Sequence, residues 1–337
     1  DDISKGIIRL VNKDGFLEDP LRILRAFSLA AIFKFKIEDK TLKLARLKRK
    51  GLKDISSERI RDELFKIFGC KDAYNYISRL DKLGILTVVL PEIELMRGVK
   101  QGPYHHLDVW RHSLETLRQL EALLSEIKNS KDISDYLNEE ISSGRRRKAL
   151  MKLAAILHDV GKPQAKRRLG KKTVFHGHER IGLGITRGIC LRMKLSNDET
   201  DSLGKMVFWH LRPGYLADNE VVSARASYRY FRDAGKEALS ILLLSIADQR
   251  STKGPLTSRS SRMQHERVVF GLVKGHLKKQ KEKKLPRLIN GDDLIRKFRL
   301  EPSPLIGKIL AEIDELQAIG RIKSKKEALC AAGKMLR

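Results

Sequence analysis

Two adjacent residues near the middle of the chain, His158 and Asp159, have side chains suited to metal chemistry. An apolar segment, 153–157, leads into this pair, and Gly161 and Pro163 follow it. Glycine and proline commonly end helices, so the pattern predicts that the pair lies at a helix end. A neutral imidazole beside a carboxylate suits a divalent metal ion. The pair is therefore a candidate metal site.

Further histidine and carboxylate residues lie on both sides of this pair. His112 belongs to a predicted helix with apolar residues at 109, 114, 117, 120 and 124, and Asp248 follows the apolar run 242–247. Two divalent ions side by side can bind a phosphate oxygen and lower the pKa of a water molecule to near neutral. We predict six metal ligands, enough for two ions: His112, His158, Asp159, His178, His210 and Asp248.

The order His…His-Asp…His…His…Asp, together with the run 158–163, resembles the HD superfamily of metal-dependent phosphohydrolases. Asp159 and Lys162 are the predicted catalytic residues, because Lys162 lies beside the proposed ions and can bind a phosphate oxygen. Mixed histidine and carboxylate ligation admits Mg, Mn, Ni, Co, Fe or Zn. Two alternatives stay open. One is a helical domain with satisfied core histidines, and the other is an HD fold whose site only helps to hold the protein together.

A second informative stretch occupies residues 16–26. Pro20 fits the first turn of a helix and Asp19 fits the cap before it. Spacings of three and four residues place Glu18, Asp19 and Arg22 near one helix face. A carboxylate beside an arginine complements cytosine and adenine, which both present an amino donor beside a ring-nitrogen acceptor. The alternative is an ordinary capping cluster with a surface ion pair.

Three segments, 2–9, 18–22 and 55–64, are similar, in this order, to motifs of the class II tRNA nucleotidyltransferase and poly(A) polymerase family. The segment 91–112 is similar to members of that family that carry an HD domain. The resemblance implies a hinge, a protein template that selects CTP and ATP with Mg, and a supporting helix. It extends the nucleotide-binding set to Arg9 and Arg25.

The catalytic head of that family carries a glycine-rich nucleotide loop and paired carboxylates that hold two magnesium ions. No such motif occurs in this sequence. We expect the head to precede residue 1 or to belong to a separate chain. These residues alone should then bind nucleotide and RNA without adding nucleotides.

The charge balance is strongly basic, with 69 lysines and arginines against 42 acidic residues and a net charge of +27 over 337 residues. Such an excess favours a polyanionic partner, and tRNA or another RNA fits it. No apolar run is long enough to cross a bilayer and no signal peptide is visible, so we predict a cytoplasmic protein without a membrane partner. Three scattered cysteines indicate neither a disulfide framework nor a zinc knuckle.

Apolar residues recur at helical intervals along most of the chain, which predicts a mainly all-α protein. We expect a neck with the hinge and template motifs over 1–100, an HD domain over 101–255, a basic linker over 256–285 and an RNA-binding helical tail over 286–337. Asn290 and Ser303 should begin tail helices, and Ser324 has capping-box spacing. A short strand is expected at 171–175. Two basic loops, 144–148 and 162–172, are either RNA contacts or simply solvated.

Three functions remain open from the sequence. The first is an RNA 3′-end nucleotidyltransferase body with an HD phosphohydrolase site. The second is a stand-alone HD phosphohydrolase acting on nucleotides or on 2′,3′-cyclic or 3′-phosphate RNA ends. The third is a non-catalytic RNA-binding scaffold. Motif order and charge favour the first.

Overall fold

The computed structural model describes residues 2–170, 172–281 and 286–336. The first part of the chain is helical apart from two short strands. Its elements are β1 (Ile7–Ile8), α1 (Gly15–Glu18), α2 (Arg22–Phe33), β2 (Lys36–Ile37), α3 (Asp39–Lys48), α4 (Ser57–Gly69), α5 (Ala73–Lys82) and α6 (Leu86–Val89). The two strands pair in parallel, with Ile7 beside Lys36.

Besides one short 3-10 helix (Gly235–Glu237), the middle of the chain contributes ten α-helices and two small antiparallel hairpins within the described residues. They are α7 (Val109–Glu126), α8 (Lys131–Asn138), β3 (Glu140–Ser142), β4 (Arg145–Arg146), α9 (Arg147–Leu157), α10 (Lys162–Ala165), β5 (Arg167–Leu169), β6 (Lys172–Val174), α11 (His178–Arg192), α12 (Asn197–Trp209), α13 (Arg212–Ala217), α14 (Ala224–Ala234), α15 (Ala238–Ser251) and α16 (Arg259–Lys281). The tail follows with α17 (Gly291–Phe298), α18 (Pro304–Ala318) and α19 (Lys325–Met335). None of the described helices is long and apolar enough to cross a membrane.

One continuous apolar core joins the neck to the HD region. Helices α9 and α15 lie at its centre, since nearly all residues of α9 are buried and α15 packs against α7, α9 and α16. Helix α4 links the neck to this core because it packs on both α2 and α9. The ligand-bearing elements are therefore anchored in one shared apolar core.

The tail has a small apolar core of its own, formed by Leu294, Ile309, Ile313 and neighbours on the other tail helices. Its helices begin where the sequence predicts. Asn290 caps α17 in a capping box with Asp293, Pro304 opens α18, and the Ser324 hydroxyl accepts from the backbone N–H of Glu327 at the start of α19. The tail is thus an ordered helical unit.

The predicted basic linker is wrong for most of its length, because α16 occupies it. Val268, Val269, Leu272 and Val273 are buried on one face of this helix, which packs on α15. Because lysines and arginines cover the other faces, the overall composition of the segment is basic and polar despite this apolar stripe. Lys283 and Lys284 lie outside the described residues, and the exact domain boundaries stay predictions.

The two basic loops are more ordered than the sequence suggests. The first includes the hairpin of β3 and β4, and the second includes the hairpin of β5 and β6, where the strand expected at 171–175 is present at Lys172–Val174. Lys171 lies outside the described residues. Arg145 and Arg147 of the first loop are largely buried in ion pairs with Glu199 and Glu237, so these two arginines are bound inside the protein.

Candidate metal centre

Five helices or helix ends bring the six predicted ligands together. His112 lies in the first turn of α7 and Asp248 near the end of α15, while His158 and Asp159 form the turn directly after α9. His178 is the first residue of α11, and His210 follows the last residue of α12. Residues up to 136 positions apart in the sequence therefore meet at one point.

The six side chains form two groups, and within each group the ligand atoms lie within 4.8 Å of one another. His112, His158 and Asp248 make the first group, and Asp159, His178 and His210 make the second.

Asp159 lies between the groups. Its Oδ2 is 3.2 Å from His158 Nε2, and its Oδ1 is 3.4 Å from His178 Nε2 and 3.6 Å from His210 Nε2. A carboxylate placed this way can contribute one oxygen to each group.

The remaining ring nitrogens fix the orientation of all four imidazoles. The Nδ1 atoms of His158, His178 and His210 face the backbone carbonyls three residues earlier, at 3.0, 2.8 and 2.6 Å. The Nδ1 of His112 faces the Ser251 hydroxyl at 3.0 Å. Donation from each Nδ1 leaves Nε2 as the lone-pair atom aimed into the centre, which is the arrangement usual for metal-binding histidines.

Several buried side-chain atoms of this centre lack hydrogen-bond partners within the described part of the chain, which is expected of atoms that bind metal ions. His158 Nε2 has no hydrogen-bond partner among the described residues, and apart from the ion pair with Lys162 neither oxygen of Asp159 has one. His158 and Asp159 are almost fully buried. Because polar atoms buried without hydrogen-bond partners are costly, metal ions between the two groups would satisfy His158 Nε2 and the Asp159 oxygens.

The local charges favour this pattern at Asp159 and His210, whereas at His158 burial lowers the pKa of the imidazole but the carboxylates of Asp159 and Asp248 raise it more strongly. Burial alone would raise the pKa of the Asp159 carboxyl, but His158 and Lys162 hold that pKa well below its usual range. Burial, together with the nearby His158, lowers the pKa of His210 to about 3. His210 is therefore neutral at physiological pH, as a metal ligand must be, and Asp159 is ionised.

Gly161 is required here for a reason other than helix termination. A Cβ atom at this position would lie 2.1 Å from the His178 carbonyl oxygen and 2.5 Å from the Gly182 backbone nitrogen. Its φ of −82° is ordinary for any residue, and Lys162 begins the short helix α10 directly after it. The predicted helix end at the His-Asp pair is correct, but the glycine serves the close packing of α11 that places His178.

Lys162 lies at the edge of the centre, with Nζ 2.6 Å from Asp159 Oδ2 and 2.7 Å from the side-chain oxygen of Gln101. A cavity of about 270 Å³ opens beside it and reaches Asp159, His210 and Asp248.

The cavity is also lined by His105, whose ring packs edge-on against His112 with 4.8 Å between centroids. Gln101, His105 and Ser251 were not predicted as site residues. The sequence carries only a weak signal for them, since 101 and 105 fall in the segment that resembles HD-bearing family members.

The template residues lie on the surface at the junction of α1 and α2. Arg22 Nη1 is 3.3 Å from Glu18 Oε2, whereas Asp19 Oδ2 is 3.3 Å from Arg59 Nη2 at the start of α4. Helix α2 begins at Arg22, two residues after Pro20, because 19–21 form a turn in which Asp19 accepts from the Leu21 N–H. The predicted position of Asp19 as helix cap is therefore wrong.

The two other predicted nucleotide-binding arginines lie close to acidic groups of the neck. Arg9 Nε is 3.3 Å from Asp2 and 3.7 Å from Glu38. Arg25 Nε is 3.8 Å from Glu63. Arg25 lies one helical turn from Arg22 on α2, while Arg9 lies beyond β1, so a common nucleotide contact for both stays a prediction.

Three protein families match successive parts of the chain. Residues 34–96 match the "Probable RNA and SrmB- binding site of polymerase A", residues 109–253 match the HD domain, and residues 187–332 match the putative tRNA nucleotidyltransferase domain 2. The HD match covers all six predicted ligands. The first two matches lie within the predicted neck and HD domain, and the third overlaps the HD match over 187–253 and extends into the predicted tail.

Curated relatives extend the similarity across nearly the whole chain. It is 30% identical over 340 residues to the A-adding tRNA nucleotidyltransferase of Deinococcus radiodurans, covering 97% of this chain and 70% of that protein. It is 25% identical over 338 residues to the CC-adding enzyme of Thermus thermophilus, covering 97% and 69%. The chain belongs to the tRNA nucleotidyltransferase family.

Solved structures share the fold. The Thermotoga maritima CCA-adding enzyme complexed with tRNA superposes with a TM-score of 0.59 at 20% identity, covering all of this chain and 66% of that one. A CCA-adding enzyme complexed with CTP gives the same TM-score and covers 64% of that chain. This chain thus spans about two thirds of the length of these proteins.

These findings confirm the predicted family, its role in RNA 3′-end processing and the mainly helical fold. They favour the first of the three functional hypotheses over a stand-alone hydrolase or a non-catalytic scaffold. Hydrolytic activity, the identity of the metal and a cytoplasmic location stay predictions.

Proposed function

We propose that this chain is the nucleotide-selecting and RNA-holding part of a tRNA nucleotidyltransferase and that it carries a dinuclear HD phosphohydrolase centre. The contact between Asp19 and Arg59 is the main support for nucleotide selection by this chain. It holds the Asp19 carboxylate in place three residues before Arg22, yet the Asp19 side chain remains 23% exposed and that of Arg22 46% exposed. Preorganised groups of this kind lose little entropy when a ligand binds.

The proposed reading of the base follows from donor and acceptor positions. Asp19 accepts from the exocyclic amino group of cytosine or adenine, and Arg22 donates to the adjacent ring nitrogen. Uracil and guanine present the reverse pattern, which would set a carbonyl oxygen against the carboxylate. Glu18 accepts from Arg22 Nη1 and so limits the rotation of the guanidinium.

tRNA or another RNA is the proposed polymeric substrate, and ATP and CTP are the proposed donors. The relatives named as A-adding and CC-adding enzymes and the tRNA-bound structural neighbour support this assignment. The carboxylates that hold magnesium for nucleotidyl transfer would come from a head domain on the same or a separate polypeptide. A cytoplasmic setting without a membrane partner belongs to the same proposal.

The HD centre would hold two divalent ions, with Mg, Mn, Ni, Co and Fe as the candidate metals. Bound ions would supply a water of lowered pKa and a Lewis acid for a phosphate oxygen. Lys162 would bind a further phosphate oxygen, since its ammonium projects into the cavity over Asp159. A terminal phosphate or a 2′,3′-cyclic phosphate of RNA is the substrate class we propose.

Equilibrium binding of labelled CTP, ATP, UTP and GTP tests the template. The wild-type chain should prefer CTP and ATP, and Asp19→Asn should lose that preference because an amide offers donors as well as an acceptor. Arg79→Gln, an exposed neck arginine without an ion pair among the described residues, serves as the control. Equal affinity of the wild type for all four nucleotides would contradict the proposal.

Phosphatase and 2′,3′-cyclic phosphodiesterase assays with Mn, Ni, Co or Mg test the HD centre. Metal-dependent turnover should be present in the wild type and absent in Asp159→Ala. His106→Gln, which changes an exposed histidine outside the ligand set, should retain it. If turnover is equal in Asp159→Ala, the proposed centre is not its source.

A further inference from the structure

A large cleft lies where the neck meets the HD region, away from both sites described above. We call it the neck–HD cleft; it is bounded by α4, by the β3–β4 hairpin with the start of α9, and by the segment after α11. Its volume is about 870 Å³. One carboxylate, Asp62, lines it against six cationic side chains: Arg61, Lys66, Arg145, Arg146, Lys148 and Lys194.

Half of these cations already have acidic partners. Arg145 is bound to Glu199, Lys66 Nζ lies 2.9 Å from Glu63, and Arg61 Nε lies 2.9 Å from Asp62. Arg146, Lys148 and Lys194 have no ion pair with any of the residues that the structure describes. The cleft therefore has an uncompensated positive charge.

Lys148 shows that this charge is not simply solvated. Its side chain is half-buried, and burial together with Arg146 lowers the pKa of its ammonium. Partial burial of an unpaired ammonium is unfavourable, because the charge loses part of its hydration. An anion in the cleft would remove that cost.

Neutral donors complete the lining. Ser142 and Ser143 place hydroxyl groups at the hairpin turn, where Ser143 has a φ of 48° and Gly144 a φ of 76°. Helix α9 begins at the same place with no side-chain cap on its first turn, although its first N–H, that of Arg147, donates to the Glu139 carbonyl. Hydroxyls and uncapped helix amides both donate to phosphate oxygens.

We propose that the neck–HD cleft binds the phosphodiester backbone of the RNA substrate. The lining favours RNA over an acidic protein partner, because its one aromatic residue, Phe65, is only 5% exposed and offers no anchor for a protein surface. Its lining has no stacking surface for bases either, so binding should be independent of sequence. The inference rests on the proposed function and names where the RNA is held.

The cleft is separate from the metal centre but rigidly connected to it. Lys148 lies in the first turn of α9, and His158 follows the last residue of that helix. Ten residues of helix correspond to about 15 Å. RNA held in the cleft would therefore have a fixed position relative to the HD centre.

Filter binding of tRNA to the full chain, repeated over a range of KCl concentrations, tests the inference. The variant Arg146→Gln/Lys148→Gln removes two cations that lack acidic partners. The matched control is Lys128→Gln/Lys131→Gln, which removes two exposed lysines that do not line the cleft. Arg146→Gln alone keeps the test valid if the double variant unfolds, because Arg146 is exposed.

The expected result is a tRNA affinity about tenfold weaker at low salt and a smaller slope of log K against log salt, by roughly 0.7 to 0.9 for each phosphate that is no longer neutralised. The control should keep the wild-type slope. An unchanged slope in the cleft variants would overturn the inference while leaving the proposed function intact. A wild-type chain that binds no tRNA would overturn both. Loss of CTP binding with unchanged tRNA binding would overturn the inference and assign the cleft to free nucleotide.

Discussion

Arg59 Nη2 lies 3.3 Å from Asp19 Oδ2 although 40 residues separate the two in the chain. Arg59 is in the first turn of α4, and Asp19 is in the turn between α1 and α2. Through this contact a neck helix would support the predicted template, because Arg59 holds the Asp19 carboxylate in position.

Removal of this support should weaken nucleotide binding without removing a predicted base contact. For Arg59→Gln we expect CTP and ATP affinities to fall about fivefold to tenfold, corresponding to the loss of about 1 to 1.5 kcal/mol from one hydrogen bond. Preference over UTP and GTP should fall as well, since Asp19 would gain freedom. Equilibrium dialysis with labelled nucleotides measures both quantities, and Arg79→Gln should behave as wild type.

The hydroxyl of Ser251 should control metal affinity although it is not a ligand. It faces His112 Nδ1 at 3.0 Å and donates to the Asp248 carbonyl at 2.7 Å. We expect Ser251→Ala to weaken Mn binding about 10- to 100-fold, because partners of metal-binding histidines fix ring orientation and basicity. Calorimetric titration of the metal-free chain provides the measurement.

Ser245→Ala is the matched control for that experiment. Ser245 also lies on α15 and also contacts a histidine, His265, at 3.1 Å, but His265 is not among the predicted ligands. Equal losses of affinity in the two variants would show that the effect comes from α15 as a whole.

The six candidate ligands were visible in the sequence because histidine and carboxylate types recur beside apolar segments, and the fold brings them into two groups that could hold ions. Ser251 and Gln101 could not be predicted in the same way. A serine or glutamine gives no spacing signal, and its role depends on which helix packs opposite. The role of Gly161 also differs from the predicted one, because a Cβ at this position would lie 2.1 Å from the His178 carbonyl oxygen, which is apparent only once α11 is packed against it.

The sequence contains a pattern that indicates α16, where a basic linker was predicted. Val268 and Leu272, and Val269 and Leu272, recur at spacings of four and three residues, which is the pattern of a buried helix face. Composition outweighed periodicity in our prediction because the helix ends in a run of lysines. The pairing of Asp19 with Arg59, in contrast, depends on tertiary packing alone.

The ion pair between Glu199 and Arg145 should make stability depend on pH in the acid range. Burial would raise the pKa of the Glu199 carboxyl, but Arg145 and the Ser196 N–H lower it more strongly. A carboxyl whose pKa is lower in the folded state stabilises the protein above its unfolded pKa, about 4.3. That contribution disappears as the pH falls through the folded value.

Glu199→Gln should therefore reduce the free energy of unfolding by about 1 to 3 kcal/mol at pH 7. The difference from wild type should shrink below about pH 4, where the unfolded-state carboxyl of the wild type becomes protonated. Urea unfolding in the presence of EDTA at several pH values measures this and keeps metal binding out of the comparison. A difference that stays constant down to pH 3 would show that the carboxylate charge does not contribute.

We predict that Arg147, although basic, stabilises the fold and does not bind RNA. Its guanidinium is 1% exposed, binds Glu237 and Glu139, and lies 4.4 Å over the ring of Tyr136. Arg147→Met should cost about 3 to 5 kcal/mol in urea unfolding, because it leaves Glu237 buried without its cation. Adding Glu237→Leu should recover only part of that loss, since Ser202 and Ser240 also donate to Glu237. The folded fraction of Arg147→Met should bind tRNA with the wild-type salt slope, whereas a reduced slope would place Arg147 among the RNA-binding residues.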